Sequence, residues 1–145
     1  MNEENAGSCS VQQGLTFQDL AGRNLTCEDL REKNLEGANL QGAILRGADL
    51  SRANLQGANL RGTNLRGANL RGADLSRADL RGADLTYADL SNALLVDTDL
   101  SDADLSDALV RGRYSYWTGV KTEGTIMPDG NIGGFRRFHH GIDPE

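Results

Sequence analysis

The sequence is dominated by leucine at every fifth position. Leucine fills this register without a gap from residue 15 to residue 105, nineteen times in all, and Val110 takes the next position. Between Ala38 and Ala108 the residue two before each register position is alanine, except at Thr63 and Thr98. The residue directly before it is mostly Asp or Asn. Repetition this regular identifies a repeat architecture before any other feature is considered.

A period of five excludes both a plain helix and a flat strand. Five helical residues turn roughly 140° past a full revolution, so the leucines would spiral around the axis. In a flat strand an odd period sends successive leucines to opposite faces. All of them face one core only if the chain bends once per unit, with Gly, Asn or Asp supporting the corner. Such a chain closes into stacked coils, which is a β-solenoid.

Individual units resemble the loose A(D/N)LXX signature of the pentapeptide-repeat family. Ala48–Arg52, Ala58–Gly62 and Ala83–Tyr87 fit it directly, and the similarity is strong over residues 36–110 and weak over 14–35. The resemblance implies an all-β fold, a right-handed quadrilateral β-helix with four units per coil. Nineteen units then make nearly five coils, a rod of roughly 24 Å at the usual spacing between strands.

The sequence predicts three parts along the chain. These are a polar leader (1–13), the repeat solenoid (14–110) and a C-terminal aromatic cap with a tail (111–145). The core of the solenoid is expected along the leucine column, represented by Leu50, Leu70 and Leu90.

The first coil departs from the inner alanine rule. Its residues two before leucine are Gln18, Arg23, Glu28 and Lys33. Long polar side chains are costly to bury without partners, so this coil is predicted to be the open N-terminal end. Its charged heads would reach water, or pair as Arg23 with Glu28. The alternative is that this charged end docks a partner or another copy of the rod.

The two cysteines, Cys9 and Cys27, are 18 residues apart, close to the length of one coil. One coil spacing would permit a disulfide. The sequence leaves two interpretations open: a bond that pins the leader in an oxidising compartment, or two unrelated thiols in a cytosolic protein.

Two outward positions carry apolar residues in place of Asp or Asn. They are Ile44 and Leu94, and Val96 shares a face with Leu94. Because a cluster of exposed apolar residues can mark an interface, these three are candidate interaction residues. The alternative is that the C-terminal segment folds back over Leu94 and Val96.

Beyond the repeat, aromatic residues appear together at Tyr114, Tyr116 and Trp117. They are predicted to cover the last coil, whose open sheet edge would otherwise invite end-to-end pairing. Further on, His139 and His140 lack the cysteine or carboxylate spacing of a zinc site, so they are interpreted as a polar tail.

The net charge of the chain and the absence of catalytic and metal-binding motifs exclude several classes of function. The chain has 15 basic and 21 acidic residues, a net charge of −6, which argues against non-specific nucleic-acid binding. The acidic stretch 97–107 points around the whole coil, and a calcium site needs convergent ligands. No phosphate loop, zinc spacing or nucleophile motif is present. The sequence therefore predicts a protein that is not an enzyme and needs neither cofactor nor metal.

The sequence also contains no apolar run of membrane-spanning length and no visible secretory signal. We therefore expect a cytoplasmic protein without membrane insertion. The thylakoid lumen or periplasm is the alternative if a targeting segment has been removed.

The predicted function is a protein-interaction or scaffold module with an unknown protein partner and no nucleic-acid ligand. A weak homodimer, through a rod end or the Leu94 and Val96 patch, is a further candidate. The alternative, implied by the resemblance, is mimicry of DNA that binds type II topoisomerases. It is disfavoured because residues 16–110 contain 10 basic beside 15 acidic residues. Relatives in that role also tend to carry Phe in the central position and to form longer rods.

Overall fold

The computed structural model describes residues 18–130, and within them single-residue parallel bridges join each coil to the next. Through residue 109 every bridge joins residues 20 apart, so one coil contains four five-residue units. Ladder 1 contains Asp19, Asn39, Asn59, Asp79, Asp99 and Lys121, and ladder 2 contains Asn24, Ile44, Asn64, Asp84, Asp104 and Ile126. Ladder 3 contains Asp29, Asp49, Asn69, Asp89 and Leu109, and ladder 4 contains Asn34, Asn54, Asp74 and Leu94. The four ladders are the four faces of a quadrilateral solenoid.

Each five-residue unit turns one corner through a β-turn. The carbonyl of the central leucine accepts a hydrogen bond from the N–H three residues on, as from Ala48 to Leu45 at 3.0 Å. The third residue of the turn, two after the leucine, has a positive φ at every corner from Gly22 to Asp107, and half of these residues are glycine. The one-bend-per-unit prediction is therefore confirmed, and glycine is frequent because it adopts this conformation without strain.

The outward Asp or Asn residues help to form the corners. Their side-chain oxygen accepts a hydrogen bond from the N–H two residues on, as from Arg61 to Asn59 at 3.1 Å and from Ser101 to Asp99 at 3.0 Å. This is the Asx-turn, in which a short polar side chain replaces a backbone acceptor. Asp and Asn precede the leucines because they stabilise the turn as well as face water.

The core is the leucine column together with the alanine column beside it. All the leucines of the register from Leu20 to Leu105 are buried. Leu50, Leu70 and Leu90 are each 0% exposed, as the inward assignment predicts. Where threonine replaces alanine it is buried too, and its hydroxyl donates to a leucine carbonyl, as from Thr98 to Leu75 at 2.6 Å.

The polar first coil lies at the N-terminal end of the described solenoid. Gln18, Arg23 and Lys33 are exposed there, as expected for an open end. Glu28 does not reach water, because the residue is only 6% exposed, and its predicted pairing with Arg23 stays a prediction.

The C-terminal segment extends the solenoid beyond the predicted boundary at residue 110. Lys121 bridges Asp99 and Ile126 bridges Asp104, so the separation grows from 20 to 22 residues. The additional two residues fall where the chain forms a short 3₁₀ helix, Tyr114–Trp117.

After this insertion new residues fill the central positions. Trp117, Thr122 and Met127 are buried there, and Tyr116 and Val120 pack partly buried against the core. Trp117 is therefore part of the core within a further, irregular coil, and the aromatic cap stays a prediction.

Several predicted features lie outside the described residues. They are the leader with Cys9, the start of the solenoid at residue 14, and the tail with His139 and His140.

We expect Gly62→Ala to lower the free energy of unfolding by about 1 kcal/mol, the cost of the left-handed conformation for a residue with a Cβ. Gly62 has φ +63°, and an added Cβ would meet nothing within 4 Å, so backbone strain alone is tested. Urea denaturation measures the change. Gly62→Asn is the control and should cost less, because Asn tolerates this region and Asn92 adopts it with φ 60°. Equal stability of Gly62→Ala and the wild type would contradict the assigned turn.

Candidate functional site

A shallow groove of about 540 Å³ lies along the corner that follows ladder 2. We call it the Ile44 groove. Its lining includes Ile44, Asn64, Arg46, Arg66, Cys27 and Tyr87. These residues come from four successive coils, so the groove runs along the rod axis.

The groove exists because two glycines interrupt a column of corner residues. Cys27, Gly47, Gly67 and Tyr87 occupy the same corner position at intervals of 20 residues. An added Cβ on Gly67 would meet nothing within 4 Å, whereas one on Gly47 would approach the Cys27 Sγ to 3.6 Å. The missing side chains leave open space between Cys27 and Tyr87.

Tyr87 and Arg66 form the end of the groove together. The Arg66 guanidinium carbon lies 4.6 Å from the centre of the Tyr87 ring, within the range of a cation–π contact. Arg66 also donates a hydrogen bond to the Thr86 hydroxyl at 3.0 Å. Thr86 in turn donates to Asp84 at 2.7 Å. Two contacts therefore hold Arg66 in place although Tyr87 is 56% exposed.

Four arginines elsewhere on the rod, Arg31, Arg52, Arg71 and Arg81, are paired with carboxylates. Arg31 approaches Asp29 to 2.7 Å and Arg81 approaches Asp79 to 2.7 Å, each two residues apart in the sequence. The hydrogen bond from Arg31 lowers the pKa of Asp29 to about 2, and the hydrogen bond from Arg81 likewise lowers the pKa of Asp79. Each of these pairs neutralises charge within one repeat unit.

Two further pairs join neighbouring coils. Arg71 lies 3.3 Å from Asp89, and Arg52 lies 3.2 Å from Glu32. Ion pairs of arginine therefore form both within coils and between them.

The two arginines of the groove, Arg46 and Arg66, have no such pair. Within residues 18–130, no carboxylate lies within the 4.0 Å of an ion pair from either guanidinium. The residues two before them are Ile44 and Asn64, where the paired arginines Arg31 and Arg81 have Asp. Ile44 thus adds apolar surface, 37% exposed, and also removes the local acid.

The three predicted interaction residues do not form one patch. Ile44 lies on ladder 2, whereas Leu94 ends ladder 4, two corners away around the coil. Leu94 and Val96 are half-buried. Their role in an interface stays a prediction.

Two exposed residues were missed from the sequence. Leu109 is 47% exposed on the last rung of ladder 3, and Tyr87 lines the groove. The signal for Leu109 was the same as for Ile44, an apolar residue in the Asp or Asn position. The signal for Tyr87 was an aromatic residue in a corner position that is often glycine.

Cys27 is half-buried beside the groove and is disulfide-bonded. The only other cysteine of the sequence, Cys9, lies outside the described part. The pairing of Cys9 with Cys27 therefore stays a prediction.

No group of three His, Cys, Asp or Glu side chains among residues 18–130 is arranged to hold a metal ion. Over these residues the structure has no helix long and apolar enough to cross a membrane.

Four parallel ladders around a leucine core define this protein as a quadrilateral β-solenoid of short repeats. The family model described as pentapeptide repeats (8 copies) matches residues 19–52, 34–72 and 73–112. The chain therefore belongs to the pentapeptide-repeat family, whose members fold as right-handed quadrilateral β-helices.

Solved structures of other family members are similar. Rfr23 from the cyanobacterium Cyanothece 51142 is 33% identical with a TM-score of 0.55, over 75% of this chain and 63% of Rfr23. This chain therefore spans less than two thirds of Rfr23. The protein alr5209 from Nostoc PCC 7120 is 31% identical over 83% of both chains, with a TM-score of 0.43. A pentapeptide repeat protein from the Arabidopsis thaliana thylakoid lumen is 28% identical over 86% of this chain and 74% of its own, with a TM-score of 0.40. No curated protein matches the chain significantly.

Proposed function

We propose that this protein is a non-enzymatic interaction module that binds a protein partner through the Ile44 groove. The observation that carries the proposal is the groove itself, where exposed Ile44 and Tyr87 lie beside two arginines without carboxylate partners. Aromatic residues and arginine are enriched where proteins bind one another. The stacked coils supply a rigid support, because each is hydrogen-bonded to its neighbours along the rod.

The positions of the carboxylates with a shifted pKa support a binding role over catalysis. The two carboxylates with the clearest arginine partners, Asp29 and Asp79, are held by surface ion pairs that lie away from the groove. Catalytic sites usually bring a perturbed acid or base into a concave pocket. The Ile44 groove contains arginine, tyrosine, amide and aliphatic side chains suited to recognition.

The other features of the proposal follow from the rod. We propose that it has nearly five regular coils, with the polar first coil at one end and the segment around Trp117 capping the other. Leu94 and Val96 are a second candidate contact, and a weak homodimer could form there or through a rod end. Mimicry of DNA remains the alternative function, although arginine pairs such as Arg81 with Asp79 interrupt the acidic surface. We propose a cytoplasmic location, with the thylakoid lumen or periplasm as the alternative.

Affinity capture from the cell of origin tests the proposal. The wild-type rod should retain a protein that Ile44→Asp loses at least tenfold, because a carboxylate there would neutralise Arg46 and remove the apolar contact. Leu94→Asp is the matched variant on ladder 4 and should retain the partner. If Leu94→Asp alone lost the partner, the interface would lie on ladder 4 and not in the Ile44 groove. Inhibition of gyrase supercoiling by the wild-type rod would favour DNA mimicry instead.

A further inference from the structure

We propose that the Ile44 groove recognises an extended, carboxylate-rich segment of its protein partner, with an apolar side chain between the acids. This inference rests on the proposed interaction function and specifies the chemistry of the partner. It is carried by the arrangement of charge along one corner of the rod.

Around Arg46 the groove lacks the two kinds of carboxylate position that pair with Arg31 and Arg71. An acid two residues before the arginine pairs in Asp29–Arg31, and an acid eighteen residues after it pairs in Arg71–Asp89. For Arg46 these positions hold Ile44 and Asn64. The rod therefore leaves Arg46 available to an acid supplied from outside.

Arg66 is available for a related reason. The position two before it is Asn64, and the acid eighteen residues after it, Asp84, does not pair with its guanidinium, which donates to the Thr86 hydroxyl at 3.0 Å. The Arg66 side chain is meanwhile fixed by the Tyr87 ring and the Thr86 hydroxyl. A cation held in advance loses less conformational entropy when a ligand binds. Its planar guanidinium suits a carboxylate, which can accept two parallel hydrogen bonds.

The dimensions of the groove fit a short extended peptide. Cys27 and Tyr87 are three coils apart, which is roughly 14 Å at the spacing of adjacent strands. An extended peptide covers that distance with about four residues. Arg46 and Arg66 are one coil apart, and Ile44 provides the apolar surface beside them. The groove therefore favours acids on either side of one apolar residue.

The remaining surface favours a peptide over a nucleic acid. The whole chain carries a net charge of −6, which would repel a long polyanion. A short acidic segment can meet the two arginines without lying along the Asp and Asn ladders. The exposed Ile44 side chain also offers nothing to a phosphate backbone.

Fluorescence anisotropy with a labelled Glu-Asp-Leu-Glu-Asp peptide tests the inference on the full chain. We expect saturable binding that weakens as salt rises, because the contacts are exposed charges. Arg46→Glu combined with Arg66→Glu should lower the affinity at least tenfold. Arg61→Glu, an exposed arginine at the equivalent position of the neighbouring corner, is the matched control and should change it less than twofold. A labelled Lys-Arg-Leu-Arg-Lys peptide should not bind.

Three results would overturn the inference. They are equal binding of the acidic and basic peptides, an unchanged affinity in a double variant that melts like the wild type, and tighter binding of a 15-nucleotide oligo-dT that the double variant loses. If the peptide fails to bind while Ile44→Asp still abolishes capture of the cellular partner, the acidic chemistry is wrong and the interaction function stands. If both experiments fail, the groove is not an interface.

Discussion

Leu70→Ala is expected to lower the free energy of unfolding by about 2–5 kcal/mol, the range for removing a buried leucine side chain. Leu70 is 0% exposed and lies between Leu50 and Leu90 in the same column. Its N–H donates to the Asp89 carbonyl at 2.8 Å, which fixes this backbone to the next coil. A coil held in this way cannot move inward to fill the cavity, so we expect a cost toward the upper part of the range.

Urea denaturation followed by circular dichroism measures this effect. Arg61→Ala is the control, because it truncates an exposed side chain at a corner and should stay within about 0.5 kcal/mol of the wild type. Leu70→Asp would place an unpaired carboxylate in the core and should prevent the middle coils from folding. An unchanged transition in Leu70→Ala would show that the leucine column does not form the core.

The inward leucine column could be predicted because every unit places the same residue in the same environment. Chain geometry alone required one bend per unit, but the number of sides came from the resemblance to a family. The further coil around Trp117 was missed because two additional residues shift the register, and Thr122 and Met127 replace leucine at its central positions. A pattern search at a fixed period cannot follow such a shift.

The groove was predictable only in part. Ile44 was identified from the sequence as an apolar exception, but nothing in the sequence indicated that Arg46 and Arg66 lie beside it without a carboxylate partner. The pairing rule became visible only when the structure showed which carboxylate each arginine contacts, as in Asp29 with Arg31. By that rule, Ile44 in the position two before Arg46 accounts both for the exposed apolar surface and for the missing carboxylate partner of Arg46.

The second large effect on stability is expected in the alanine column. Equivalent positions in successive coils hold a charged residue in one coil and an apolar residue in the others. Lys33, Ala53, Ala73 and Ala93 follow one another at intervals of 20 residues. Lys33 is exposed at the N-terminal end, whereas Ala73 is fully buried in the middle. Whether lysine is tolerated at this position of the repeat unit should therefore depend on which coil the unit belongs to.

We expect Ala73→Lys to lower the free energy of unfolding by at least about 3 kcal/mol, because an ammonium group without a partner is costly to bury. Ala73→Met is the matched control: it adds a side chain of comparable length without the charge, and overpacking should cost about 1–3 kcal/mol. Lys33→Ala should change stability by less than about 0.5 kcal/mol, since it truncates an exposed side chain. Urea denaturation of the three variants measures these differences. If Ala73→Lys were as stable as Lys33→Ala, the middle coils would have to open to water as readily as the first coil, and a closed apolar interior would be ruled out.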